Sequence, residues 1–200
     1  MEPQTEATGQ KREQIYQAAV VEFQEKGFTE ASMDRISARA GASKRTVYKY
    51  FESKEKLFQE LLRRHWGRFV ASLEVTYQSD RDIRDQLTAL GRAEGRLLTD
   101  PDVMATTRLV MSEVLRSPGL VGENQQKTDF QGAFETMLRE ADCNGVLRIE
   151  DPKVAAEEFI ALIKGKAFWP VVFGAPVVSV KEMEQIVESS VSMIMSRYGA

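Results

Sequence analysis

The seven residues from Ser43 to Lys49, SKRTVYK, carry three cations, two aliphatic hydroxyls and a tyrosine, with no carboxylate among them. Such side chains donate hydrogen bonds to phosphate oxygens, and an arginine or lysine can also reach the acceptor edge of a guanine in a major groove. The wider window from Arg35 to Phe51 holds five basic residues (Arg35, Arg39, Lys44, Arg45 and Lys49) and no acid, whereas residues 1 to 60 as a whole carry ten of each sign. The positive charge is therefore placed rather than general. A placed patch is the electrostatic footprint of a phosphate-bearing partner. A short basic helix can equally be a solvated face, so charge alone leaves both readings open.

The elements that must position these side chains favour the first reading. Ile15, Ala18, Ala19 and Phe23 fall at helical spacing, and Gly27 supplies a stop. Ser32 is an N-cap for a short second helix whose Ile36 and Ala40 share a face, and Gly41 ends it. Ser43 caps a third helix that runs to about Tyr50, and Ser53 caps a long fourth through Leu57, Leu61, Leu62 and Phe69 to about Tyr77. Two short capped helices joined by a glycine turn form a helix-turn-helix. Ser37 is small where the pair cross, and Val47 is the apolar pin of the third helix. That leaves Lys44, Arg45, Thr46, Tyr48 and Lys49 free to point outward into a major groove, so the expected partner is double-stranded DNA.

The run GFTEASMDRISARAGASKRTVYKYFESKEKLF resembles the N-terminal domain of TetR-family transcriptional regulators. The similarity extends from Ile15 to Phe58. It rests on Gly27-Phe28, Ser32-Met33, Ile36, Ala40-Gly41, Ser43-Lys44, Thr46, Tyr48, Tyr50-Phe51 and Ser53-Lys54-Glu55 with Leu57. Ser37, Ala42, Ala31 and Arg45 depart from the residues common in the family. The resemblance implies that Lys44, Arg45, Thr46, Tyr48 and Lys49 form the recognition helix. It also implies that Lys54 meets a phosphate and that Ser32 and Tyr50 touch the DNA backbone. Ser43 is included as the cap of that helix. The implied organisation is all-α: a tail over residues 1–9, a helix-turn-helix domain over 10–60, and a helical effector-binding and dimerisation domain over 61–200.

Residues 61 to 200 carry 17 basic and 20 acidic residues and no comparable basic stripe. Their helical segments end in two with apolar stripes. Ala155, Phe159, Leu162 and Ile163 line one, and Val180, Met183, Ile186, Val187, Val191, Ile194 and Tyr198 line the other. Periodicity alone allows these stripes to be intramolecular core. The family resemblance implies instead a homodimer through the last two long helices. RLVMSEVLRSPGL and LRIEDPKVAAEEFIALIKG add a weaker similarity to the AefR-like branch. The same resemblance implies a pocket for a small, mainly apolar effector that releases DNA. The aromatic, soft or charged candidates for its lining are Trp66, Phe69, Tyr77, Met104, Arg108, Met111, Phe130, Phe134 and Trp169.

Other functions leave little trace. The single histidine, His65, has no second ligand at metal spacing, and no phosphate-binding glycine loop or nucleophile elbow occurs. No catalytic residue, metal or cofactor is expected. One cysteine, Cys143, and a polar N-terminal segment fit a cytoplasmic protein without membrane contact. An architectural DNA-binding protein is the other alternative, and the long non-basic second part argues against it.

Overall fold

The computed structural model describes residues 3–71, 75–117 and 130–200 of the chain, without the side chains of 3–8, 68–71 and 130–131. Ten helices appear among these residues: α1 Pro3–Glu30, α2 Met33–Arg39, α3 Lys44–Tyr50, α4 Lys54–Ala71, α5 Ile83–Leu98, α6 Pro101–Arg116, α7 Phe130–Cys143, α8 Pro152–Ala167, α9 Trp169–Val172 and α10 Val180–Tyr198. No described residue lies in a named strand; a single antiparallel bridge joins Leu147 to Gly199. The all-α expectation holds. No helix among the described residues is long and apolar enough to cross a membrane.

Two compact units make up the chain. The first comprises Met1–Trp66 with Ala105–Gln125, and the second Gly67–Met104 with Gln126–Ala200. The greater part of α6 joins the first unit with α1, α2, α3 and most of α4. The backbone of Pro3 to Gly9, expected as a tail, is helical and continues into α1.

In the first unit α1 bends at Gly27, where φ is 71°, a left-handed value that glycine adopts without steric cost. The bend brings Phe28 back so that its ring lies 5.0 Å from that of Phe58, which meets Phe23 edge-on at 5.4 Å. Ile15, Phe23, Ile36, Val47, Leu57, Phe58, Leu61 and Val110 are buried around these rings. Full burial of such a side chain contributes roughly 1.5–3 kcal/mol. This is the platform on which α2 and α3 rest.

In the second unit α5, α7, α8 and α10 share a core that includes Leu87, Leu98, Met104, Phe134, Phe159, Ile163, Val187 and Ile194. Gly91 and Gly95 lie in α5 because α10 passes close by. A Cβ on Gly91 would stand 2.9 Å from Val187 Cγ1, and one on Gly95 would stand 2.8 Å from Met183 Cγ. Glu94, on the same helix, is buried 3.7 Å from Lys164 Nζ. Burial pushes its carboxyl above the ordinary range, against the pull of that lysine.

Most residues of the two apolar stripes expected at a dimer interface line this core. Ala155, Phe159, Ile163, Met183, Val187, Val191 and Ile194 are all buried within the single chain. Leu162 and Ile186 pack against the same core while partly exposed. The outward apolar side chains of this region include Val180 of the second stripe, 75% exposed, with Phe173 at 81%, Met193 at 52% and Trp169 at 43%.

Candidate nucleic-acid interface

The helix-turn-helix is built by its caps. Ser32 Oγ accepts from the Asp34 amide at 3.2 Å, and Ser43 Oγ accepts from the Thr46 amide at 3.1 Å. Each satisfies an orphan N–H of a helix first turn, which is worth about 1 kcal/mol. Between them Gly41 takes φ 52°, so the chain reverses in three residues without a Cβ clash. Ser37 is buried at the crossing, and its hydroxyl donates to the Asp34 carbonyl at 2.8 Å. Val47 is the buried residue of α3 and anchors the helix to the core.

The opposite face of α3 is the one that sequence reading assigned to DNA. Lys44, Arg45, Tyr48 and Lys49 are exposed, and Thr46 is partly so. Ser43 is exposed with its hydroxyl 2.8 Å from that of Thr46. Tyr50 is half-buried and packs against the core of the first unit, so it contributes to the platform as well.

The charge of this face is lower than the sequence suggests. Arg35 meets the buried Glu22 at 2.6 Å, Arg39 meets Glu25 at 2.7 Å, and Lys44 meets Asp34 at 2.6 Å. All three acids lie outside the 35–51 window, and folding returns them to it. Among the described residues, Arg45 and Lys49 form no ion pair. Glu22 also accepts from the Ser32 amide at 3.2 Å, so one carboxylate steadies the start of α2 and holds an arginine. The signal for Glu22 was present in the sequence: a glutamate between Ala19 and Phe23, on the buried face of α1.

Two lysines serve the backbone. Lys54 Nζ donates to the carbonyls of Thr29 at 3.0 Å and Ala31 at 3.1 Å, and stands 4.6 Å from the centre of the Phe28 ring. Expected only as a phosphate contact, it ties the start of α4 to the α1–α2 connection, which leaves one of its three N–H donors for a phosphate. Lys11 Nζ donates to the carbonyls of Ala40 at 3.2 Å and Gly41 at 3.0 Å, inside the turn itself. Nothing in the local pattern around Lys11 marks that role. Arg12 sits 5.1 Å from the centre of the Phe51 ring and 3.3 Å from Glu60, completing the α1–α4 contact.

The expected effector-pocket residues that the structure describes fall in both units. In the first unit Trp66 is partly buried against the core, Arg108 is exposed and Met111 is half-buried. In the second Met104 and Phe134 are fully buried in close packing, the latter with its ring 5.4 Å from that of Phe159. Trp169 is largely exposed and stacks on Phe173, and the side chains of Phe69 and Phe130 lie outside the described residues. Tyr77 does line a cavity. It is an open cleft of about 460 Å³, with Val75, Thr76, Ala133, Thr136, Met137 and Glu140 among its walls. His65 is buried with Nε2 3.0 Å from the Thr107 hydroxyl. No group of three or more potential metal ligands occurs among the described residues.

A capped helix-turn-helix on a helical body defines a DNA-binding regulator fold. Comparison with known proteins agrees. Residues 15–61 match the model described as "Bacterial regulatory proteins, tetR family", and residues 85–200 match "AefR-like transcriptional repressor, C-terminal domain". A TetR-family regulator from Pseudomonas syringae pv. tomato is 40% identical over 95% of this chain and 97% of its own, with a TM-score of 0.79. The flavonoid-responsive regulator FrrA is 27% identical over 96% of this chain and 98% of its own, with a TM-score of 0.76. The transcriptional activator FasR of Mycolicibacterium smegmatis is 35% identical over 40% of this chain, a match that spans 36% of FasR. The chain belongs to the TetR family of bacterial transcriptional regulators; it is a transcription factor and not an enzyme.

Proposed function

We propose that this protein acts in the cytoplasm as a two-fold dimer on a palindromic operator, represses transcription there, and leaves when a small, mainly apolar molecule binds its second unit. The observation that carries the DNA reading is the outward face of α3. Arg45 and Lys49, unpaired among the described residues, stand with Tyr48 on a helix pinned by the buried Val47. Arg45 is the candidate for a guanine edge, and Lys49 for a phosphate. Repression rather than activation rests on the AefR-like match over 85–200, the longer of the two family matches.

Dimerisation is assigned to the outer side of the α8–α10 region, through Leu162, Ile186 and Val180, the stripe residues that keep exposed surface, with Trp169, Phe173 and Met193. Two recognition helices meet successive major grooves when they are about 34–36 Å apart or a multiple of that. The effector reading is supported by the response to flavonoids that gives FrrA its description, and by the cleft beside Tyr77 and Met137. α4 begins in the first unit and ends in the second, and α6 crosses in the other direction, so both are covalent routes by which one site can bias the other. An effector must prefer the DNA-free state, and DNA then weakens effector binding by the same factor.

Genome-wide mapping of bound sites, followed by titration of apolar compounds against the recovered duplex, tests the reading. Enrichment of a palindromic site and release by at least one compound class are expected. Uniform occupancy of the chromosome contradicts the operator assignment. Failure of every compound and of cell extract to release the duplex contradicts the effector assignment.

A further inference from the structure

Lys44 opens the recognition helix, and its charge is already paired within the chain. Its Nζ lies 2.6 Å from Oδ2 of Asp34, in the first turn of α2, and the two side chains are 63% and 60% exposed. Both groups stand at the surface rather than in the core. Asp34 is well placed to keep this position. Its amide donates to Ser32 and its carbonyl accepts from Ser37, which leaves the carboxylate as its one free polar group to aim at α3.

We propose that Asp34 is a specificity-determining residue that acts as an internal counterion and withholds Lys44 from DNA phosphates. The inference rests on the reading of α3 as the DNA-contacting helix. A lysine that meets a phosphate releases the cations condensed there, and each such contact adds about 0.9 to the slope of log affinity against log salt. A lysine already neutralised by a carboxylate adds little of this, because the carboxylate must be separated from it first. The recognition helix therefore presents Arg45 and Lys49 as its working cations. Affinity for DNA of any sequence is lowered, and the share of binding that depends on base contacts is raised. Ion pairs at this exposure are weak in water, so Asp34 sets the affinity without locking the helix.

The test is a salt titration of the protein on its operator and on a random duplex, with six chains: wild type, Lys44→Ala, Lys49→Ala, Asp34→Asn, Asp34→Glu and the Lys44→Ala/Asp34→Asn double variant. Lys44→Ala is expected to leave the slope unchanged. Asp34→Asn is expected to steepen it by about 0.9 and to tighten both duplexes, a gain of roughly threefold or more at 50 mM salt relative to 200 mM. The double variant is expected to return to the wild-type slope. Asp34→Glu, which keeps the charge and the fold, should behave as wild type and guards against a folding defect in the asparagine variant. Two results overturn the proposal. One is a slope flattened by Lys44→Ala as far as by Lys49→Ala, since Lys44 would then reach phosphate with Asp34 in place. The other is a gain from Asp34→Asn that persists in the double variant, since the carboxylate would then act on DNA directly. Wild-type protein that binds neither duplex refutes the reading of α3 itself, an outcome distinct from both.

Discussion

Lys11 Nζ donates to the Gly41 carbonyl at 3.0 Å, a contact across 30 residues that closes α1 onto the turn between α2 and α3. The turn carbonyls stand at the C-terminal end of α2, where a cation is favoured. Lys11→Ala is expected to cost about 1 kcal/mol of stability in urea denaturation. It should weaken operator binding without altering its salt slope, because the ammonium serves the backbone. A slope flattened by about one unit would show that Lys11 meets phosphate instead.

Glu60 gives the first unit a defined acid response. Arg63 donates to it at 2.9 Å and Arg64 at 2.8 Å, and together with Arg12 they hold its carboxyl down to about 2 from an ordinary value of 4.5. A carboxyl lowered by folding stabilises fully above its unfolded value and loses that contribution as pH falls through the folded value. Glu60→Gln is expected to reduce stability on the order of 2 kcal/mol at pH 7, the arginine network being partly solvated. The difference from wild type should shrink from about pH 4.5 downward and vanish near pH 2. A constant difference across that range would mean that packing, and not charge, is what the substitution removes.

The platform and the reading face were legible in the sequence because they are local. Ser32, Gly41 and Ser43 fix the caps and the turn within a few residues of themselves, and Val47 is the apolar residue in a polar helix. Charge was less legible. Glu22, Glu25 and Asp34 lie up to 14 residues from the cations they meet, and only the folded chain brings them together. The apolar stripes of α8 and α10 were the hardest to assign, since a period of 3.6 residues marks a buried face without naming what buries it. Ile163 and Val187 are buried by α5, at the place where its glycines let the helices close.

That close approach makes Gly95 intolerant of a side chain. Gly95→Ala gains helix propensity, yet its methyl would meet Met183 Cγ at 2.8 Å. The overpacking should dominate and lower stability by roughly 1–3 kcal/mol in chemical denaturation. A more stable variant would show that Met183 swings aside at no cost.

The dimer assignment separates two substitutions on neighbouring elements. Phe173→Asp changes a side chain that is 81% exposed, so the folded protomer should persist while sedimentation shows dissociation. Ile194→Asp buries a charge at a position 3% exposed, and should unfold the second unit, read as loss of cooperative melting. A fully dimeric Phe173→Asp protein would move the interface elsewhere on the chain.

The central claim is that α3 reads DNA sequence, and Arg45 is the residue that tests it. Selection of bound duplexes from a randomised library, with wild type and Arg45→Ala in parallel, measures this most directly. A palindromic motif is expected for wild type, and the same motif for the variant with one position per half-site made degenerate, a loss of about 1–3 kcal/mol of discrimination there, if Arg45 reads a base. An unchanged motif, or an equal loss of affinity on selected and random duplexes, would contradict it.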